Sequence, residues 1–179
     1  MEALTAWPSK VSRGRSLQRV EEMLKEGHAK MPTIADKKKP IIDPVVEMFA
    51  VGKYDDEELF EKHHFLMQAE NIIGELVERY IASKCYETNN WAFCPRALVK
   101  STDFIRKNED GSFYFLNIKN RFNSENSSSS RNREAEGVDM WYRIKRDGTT
   151  NWDEFPDKSL NLSEKEFILF CAVHLENNS

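Results

Sequence analysis

The sequence predicts an α/β fold in which a β-meander packs beneath a long helix, and three features carry that prediction. Apolar residues recur at threes and fours from Tyr54 to about Glu87 with no proline among them. The period then falls to two over WAFC at 91–94, ALVKSTDFIRK at 97–107 and FYFLNIKNR at 113–121. Between the last two stands NEDGS, where Asp110-Gly111 supplies a turn, because glycine accepts positive φ and aspartate bonds its own backbone.

With 179 residues the chain suits one domain with a small appendage, long enough to bury a core. Its 11 Phe, 5 Tyr and 4 Trp, against 31% charged residues, exclude a disordered or collagen-like chain. No run approaches the ~20 apolar residues of a membrane span, and MEALTAWPSKVSRGRS lacks the apolar stretch of a signal peptide, so a cytoplasmic location is expected. Cys85, Cys94 and Cys171 are odd in number and widely spaced, which predicts reduced, mostly buried thiols rather than a disulfide framework or zinc site.

The formal net charge is -4, yet residues 96–146 hold 11 Lys+Arg against 7 Asp+Glu. A basic middle flanked by acidic segments suits a phosphate backbone, and it also suits ordinary solvated surface.

In chain order, SLQRVEEMLKEGH at 16–28 reads as an amphipathic helix, and the proline-bearing stretch from Met31 to Pro44 as a linker or arm. The pattern from Tyr54 to Glu87 predicts one long helix or two abutting ones, with Leu59, Phe60, Phe65, Leu66, Ile72, Ile73, Leu76, Val77, Tyr80 and Ile81 on its apolar side. Gly74 in its middle predicts a close packing contact or a break. His63-His64 on this helix has no third ligand in sequence and predicts surface or interface histidines.

After the strands, NSENSSSSRNREAEG at 123–137 is polar, with five Ser, and VDMWYRIKR reads equally as strand or short helix. Trp141, Tyr142, Trp152 and Phe155 suit base stacking or, more often in a chain of this size, a core. Ser163-Glu164-Lys165-Glu166 has capping-box spacing, opening a helix with Phe167, Ile168, Phe170, Cys171 and Leu175 buried.

One constellation carries chemistry. Asp103 lies on the first strand of the hairpin; on the second, Asn117 and Lys119 share one face while Leu116 and Ile118 take the other. A carboxylate, an amide oxygen and an ammonium at one corner suit a hard divalent cation with a water beside it. The same residues would also make a plain cross-strand ion pair.

The succession of Gly74-Glu75-Leu76-Val77-Glu78-Arg79-Tyr80, Val99-Lys100-Ser101-Thr102-Asp103-Phe104-Ile105, Leu116-Asn117-Ile118-Lys119-Asn120-Arg121 and Asn123-Ser124-Glu125-Asn126-Ser127-Ser128-Ser129-Ser130 resembles type II restriction endonucleases of the PD-(D/E)xK superfamily, and within it the SinI-like group. The likeness covers about residues 70–145, with a weaker part at SEKEF, and leaves 1–55 unaccounted for. It implies a restriction-endonuclease-like core at 56–179, a central mixed β-sheet flanked by helices, behind a helical N-terminal arm at 1–55.

The resemblance also implies roles. Asp103 would bind Mg2+ with the Ile118 carbonyl and Glu78, or Glu75 in its place; Lys119 would position the attacking water, and Asn117 would complete the site. Two residues depart from the motif: Thr102 stands for its proline and Asn117 for its second acid. The implied reaction is Mg2+-dependent, site-specific hydrolysis of double-stranded DNA by a homodimer, paired with a methyltransferase for the same site. Asn120, Arg121, Asn123, Ser127, Ser128, Ser129, Arg131 and Arg133 would contact the DNA. The alternative is a non-catalytic DNA-binding or inhibitor module that retains the fold.

Overall fold

The structure, a computed structural model, describes residues 57–85, 88, 90–94, 99, 101–121 and 137–177, and Glu22, Val45, Met48 and Gly52 singly. The helix expected at 16–28, the linker at 31–44 and the polar stretch 123–136 lie outside the described residues, apart from Glu22, which is helical.

Helix α1 (Glu57–Cys85) runs unbroken. Gly74 does not break it, and a Cβ built there finds no atom of the described residues within 4 Å. Its packed face starts at Ile72 and Ile73 and continues through Leu76, Val77, Tyr80 and Ile81. Phe65 and Leu66, expected on that face, are instead exposed, because the described helix residues packed in the core all lie beyond them; the side chains of Leu59 and Phe60 lie outside the described residues. No helix among the described residues is long and apolar enough to cross a membrane.

The sheet orders β1 (Trp91–Phe93), β2 (Phe104–Lys107), β3 (Phe113–Arg121) and β4 (Asp139–Ile144). The first three pair antiparallel, as the meander predicts, and β4 pairs parallel to β3, which makes the sheet mixed. VDMWYRIKR is therefore strand. Adjacent parallel strands need a crossover of a dozen or more residues, and the polar segment between Arg121 and Asp139 supplies that length. The β2–β3 turn is closed by Gly111 at φ 83°, with Asp110 Oδ1 accepting the Ser112 N–H at 2.8 Å.

Alternation on β3 sorts two cores. Tyr114, Leu116 and Ile118 face α1, whereas Phe113 and Phe115 join Ala92, Cys94, Val99 and Ile105 on the other side. Two 3-10 turns, Trp152–Glu154 and Lys158–Leu160, then bring Trp152, Phe155 and Leu160 onto the α1 side. There Trp141 lies 5.0 Å from Trp152 and 5.2 Å from Phe155, ring to ring, so three of the four aromatics weighed as base-stackers are core.

Helix α2 (Glu164–Glu176) begins as its capping spacing predicts, Ser163 Oγ accepting the Glu166 N–H. The box does not close on itself. Glu166 instead accepts from Tyr80 Oη at 3.1 Å and pairs with Lys84 at 2.8 Å, and Tyr80 Oη accepts the Ser163 N–H. The cap thus ties α2 to α1. Phe167 is buried and Phe170 and Cys171 partly so, but Ile168 and Leu175 are exposed because α2 touches the core along one narrow side.

Candidate active site

Of the strand expected at 97–107, Phe104–Lys107 is strand, Val99 and the residues from Ser101 to Asp103 are not, and 97, 98 and 100 lie outside the described residues. Ser101 has φ 60°, which no extended strand tolerates, and the Thr102 N–H turns back to the Val99 carbonyl at 3.4 Å. Asp103 is therefore delivered by a tight turn at the head of β2, where its backbone N–H donates to Leu116 O and its carbonyl accepts from Cys94 N.

The Asp103 side chain reaches across to β3. Its Oδ2 accepts the Ile118 N–H at 2.8 Å, in a residue only 2% exposed. With β2 ended, a buried Ile118 N–H needs another acceptor, and the carboxylate provides it. Cys94, beside this corner, is no nucleophile: burial chiefly, with the Asp103 charge adding to it, pushes its thiol up to about 12.

Asn117, one residue before Ile118, is buried at 8% exposure. Its Nδ2 donates to the Ser101 carbonyl at 2.7 Å, and its Oδ1 accepts no hydrogen bond from the described residues. Lys119, two residues on, is half-buried opposite Tyr142 of β4. The Asp, Asn and Lys positions chosen from sequence are therefore brought to one corner of the sheet.

The glutamates stand differently. Glu78 is buried on α1 and Glu75 half-buried one turn before it. Among the described residues no three Asp, Glu, His or Cys side chains are close enough to hold an ion, so the two are not gathered with Asp103 into a three-acid group. What the corner offers is the Asp103 carboxylate and the Asn117 amide oxygen. These hard oxygen donors fit Mg2+, which keeps several waters and takes one or two carboxylates plus substrate phosphate.

Of the residues expected at DNA, Asn120 accepts from Arg143 Nε at 2.9 Å, and Arg121 pairs with Glu70 of α1 at 2.7 Å on the surface. Asn123, Ser127, Ser128, Ser129, Arg131 and Arg133 lie outside the described residues, as do the His63 and His64 side chains. Sequence reasoning missed Ser101 and Arg143. Serine at positive φ carries no sequence signal, and Arg143 read only as charge, although it links Asn120 to Glu164, which also takes the Trp152 Nε1–H.

An acid at the head of a strand, bonded to a neighbouring strand that carries Asn-x-Lys in a mixed sheet beneath a long helix, is consistent with a restriction-endonuclease-like fold. The family described as SinI restriction endonuclease matches residues 22–177, and the chain belongs to that family. It is 44% identical over 124 residues to the type II restriction enzyme Eco47I of Escherichia coli, covering 66% of this chain and 53% of that protein. It is 42% identical over 120 residues to the type II restriction enzyme SinI of Salmonella infantis, covering 64% and 51%. The matched stretch thus spans about half the length of these curated relatives.

Proposed function

We propose that the chain is a type II site-specific endonuclease that hydrolyses phosphodiester bonds of double-stranded DNA with Mg2+, in the cytoplasm, as part of a restriction-modification pair. The observation that carries this reading is the Asp103 carboxylate locked to the Ile118 N–H beside Asn117 and Lys119. Family membership supports it.

Asp103 and Asn117 would hold the ion. The carbonyl of Ile118 leaves the strand on the same side as its N–H and so opens toward the same corner, with Glu78, or Glu75, adding charge from α1. Mg2+ bound there would supply a more acidic water and neutralise phosphate charge. Water would add to phosphorus in line with the leaving sugar oxygen as that P–O bond breaks, its proton passing to solvent and the released sugar oxygen taking one from solvent, while Lys119 would orient the water and offset charge on the phosphoryl oxygens. Arg121 would exchange Glu70 for a DNA phosphate, and the segment through Arg133 would contact bases and backbone. Cutting both strands takes two such sites, hence a twofold homodimer on a short palindrome, with a methyltransferase protecting the same sequence.

The absence of a second acid at Asn117, and of a three-acid group among the described residues, favours one rival: a non-catalytic DNA-binding or inhibitor module. Asp103→Ala separates the two. The endonuclease loses cleavage of a duplex plasmid while keeping DNA binding in a gel-shift assay; a wild type that binds but never cuts supports the rival.

A further inference from the structure

We propose that Asn117 is a positioning residue, and that this corner requires an amide there rather than the acid of the superfamily motif. The inference rests on the endonuclease reading for its catalytic consequence and on geometry alone for its structural one. Ser101 is held at φ 60°, a backbone region that non-glycine residues occupy at a cost and keep only where their surroundings over-determine it. The group that holds it is Asn117, whose Nδ2–H meets the Ser101 carbonyl at 2.7 Å from inside the protein.

Only a donor can serve that contact. A carboxylate at position 117 would set a charged oxygen against a carbonyl oxygen in a buried place, where repulsion is least screened. Two residues after Ser101 comes Asp103, whose bond to Ile118 depends on where the turn delivers it. Asn117 therefore fixes the turn with one end of its amide. The other end, the buried Oδ1 that accepts nothing from the described residues, is left as a neutral oxygen toward a cation or its water. The nitrogen builds the corner, and the oxygen serves it.

The test compares wild type, Asn117→Asp and Asn117→Ala, each by melting in EDTA and by Mg2+-dependent cleavage of duplex DNA. Both variants are expected to melt a few degrees lower without metal. Both should cleave at least about tenfold more slowly at saturating DNA with little change in KM, since the reacting geometry and not DNA binding is lost. Asn117→Asp, though it restores the motif, should cut no faster than Asn117→Ala. A third variant guards against a global effect: in a Ser101→Gly background, where the turn accepts its φ freely, the melting deficit of Asn117→Ala should shrink. An Asn117→Asp protein that melts with the wild type in EDTA and cuts as fast or faster overturns the proposal. If the wild type itself cuts no DNA, the endonuclease reading fails, and the melting comparison still decides whether Asn117 holds the turn.

Discussion

Asp103 Oδ2 accepts the Ile118 N–H at 2.8 Å, so the carboxylate expected to carry the chemistry also closes the β2–β3 ladder. Its two duties separate by substitution. Asp103→Ala leaves a buried N–H without an acceptor, which costs about 1 to 3 kcal/mol. Asp103→Asn keeps an acceptor oxygen and loses the charge. Thermal melting should show a clear loss for Asp103→Ala and a small one for Asp103→Asn, whereas duplex cleavage should be abolished in both.

Lys119 lies two residues beyond Asn117 on β3, half-buried and opposite Tyr142. Lys119→Met keeps the length of the stem without the charge. Cleavage should fall by about 10²-fold or more, while duplex affinity changes by less than about tenfold, because one cation among several phosphate contacts is removed. Single-turnover rates and gel-shift titrations measure the two separately.

Gly74 sits inside α1, and among the described residues nothing stands where its Cβ would. Gly74→Ala should therefore stabilise the protein by about 0.5 to 1 kcal/mol, through helix propensity and a less flexible unfolded chain. Calorimetry should show Tm rising by about 1 to 4 °C; a fall would mean that something packs against this glycine.

Much of this fold was legible, and the failures have physical causes. The long helix, the Asp110-Gly111 turn and the Ser163 cap rest on local signals, namely period, turn chemistry and capping, and the structure shows all three. The start of β2 was misplaced because ALVKSTDFIRK alternates well enough for a strand, while the turn at Ser101 is imposed by a distant partner, Asn117. Phe65, Leu66, Ile168 and Leu175 read as buried because periodicity reports which face is apolar and not how far along the helix a neighbour extends. The neighbouring placement of Asp103, Asn117 and Lys119 is legible because strand alternation and hairpin closure are local rules. Whether Glu78 or Glu75 joins them depends on how α1 sits against the sheet, which spacing does not encode.

The Glu166 carboxylate links both helices through Lys84 and Tyr80. The Lys84 hydrogen bond first, then that of Tyr80, lowers its pKa below the ordinary 4.5. A depressed folded pKa means that this stability is present above the unfolded value and is lost as pH falls through the folded one. The melting gap between wild type and Glu166→Gln should be open at pH 7 and close as acid protonates the carboxylate. A gap that stays constant through the acid range would contradict the linkage.

The central claim, a Mg2+-dependent site-specific endonuclease built around Asp103, is tested most directly by incubating the purified protein with a long duplex of known sequence, in Mg2+ and in EDTA, beside the Asp103→Asn variant. Discrete fragments in Mg2+ alone, with ends that map to one repeated sequence and with none from the variant, are the predicted result. Intact DNA in Mg2+ and again in Mn2+, or fragments that the variant also produces, would contradict it.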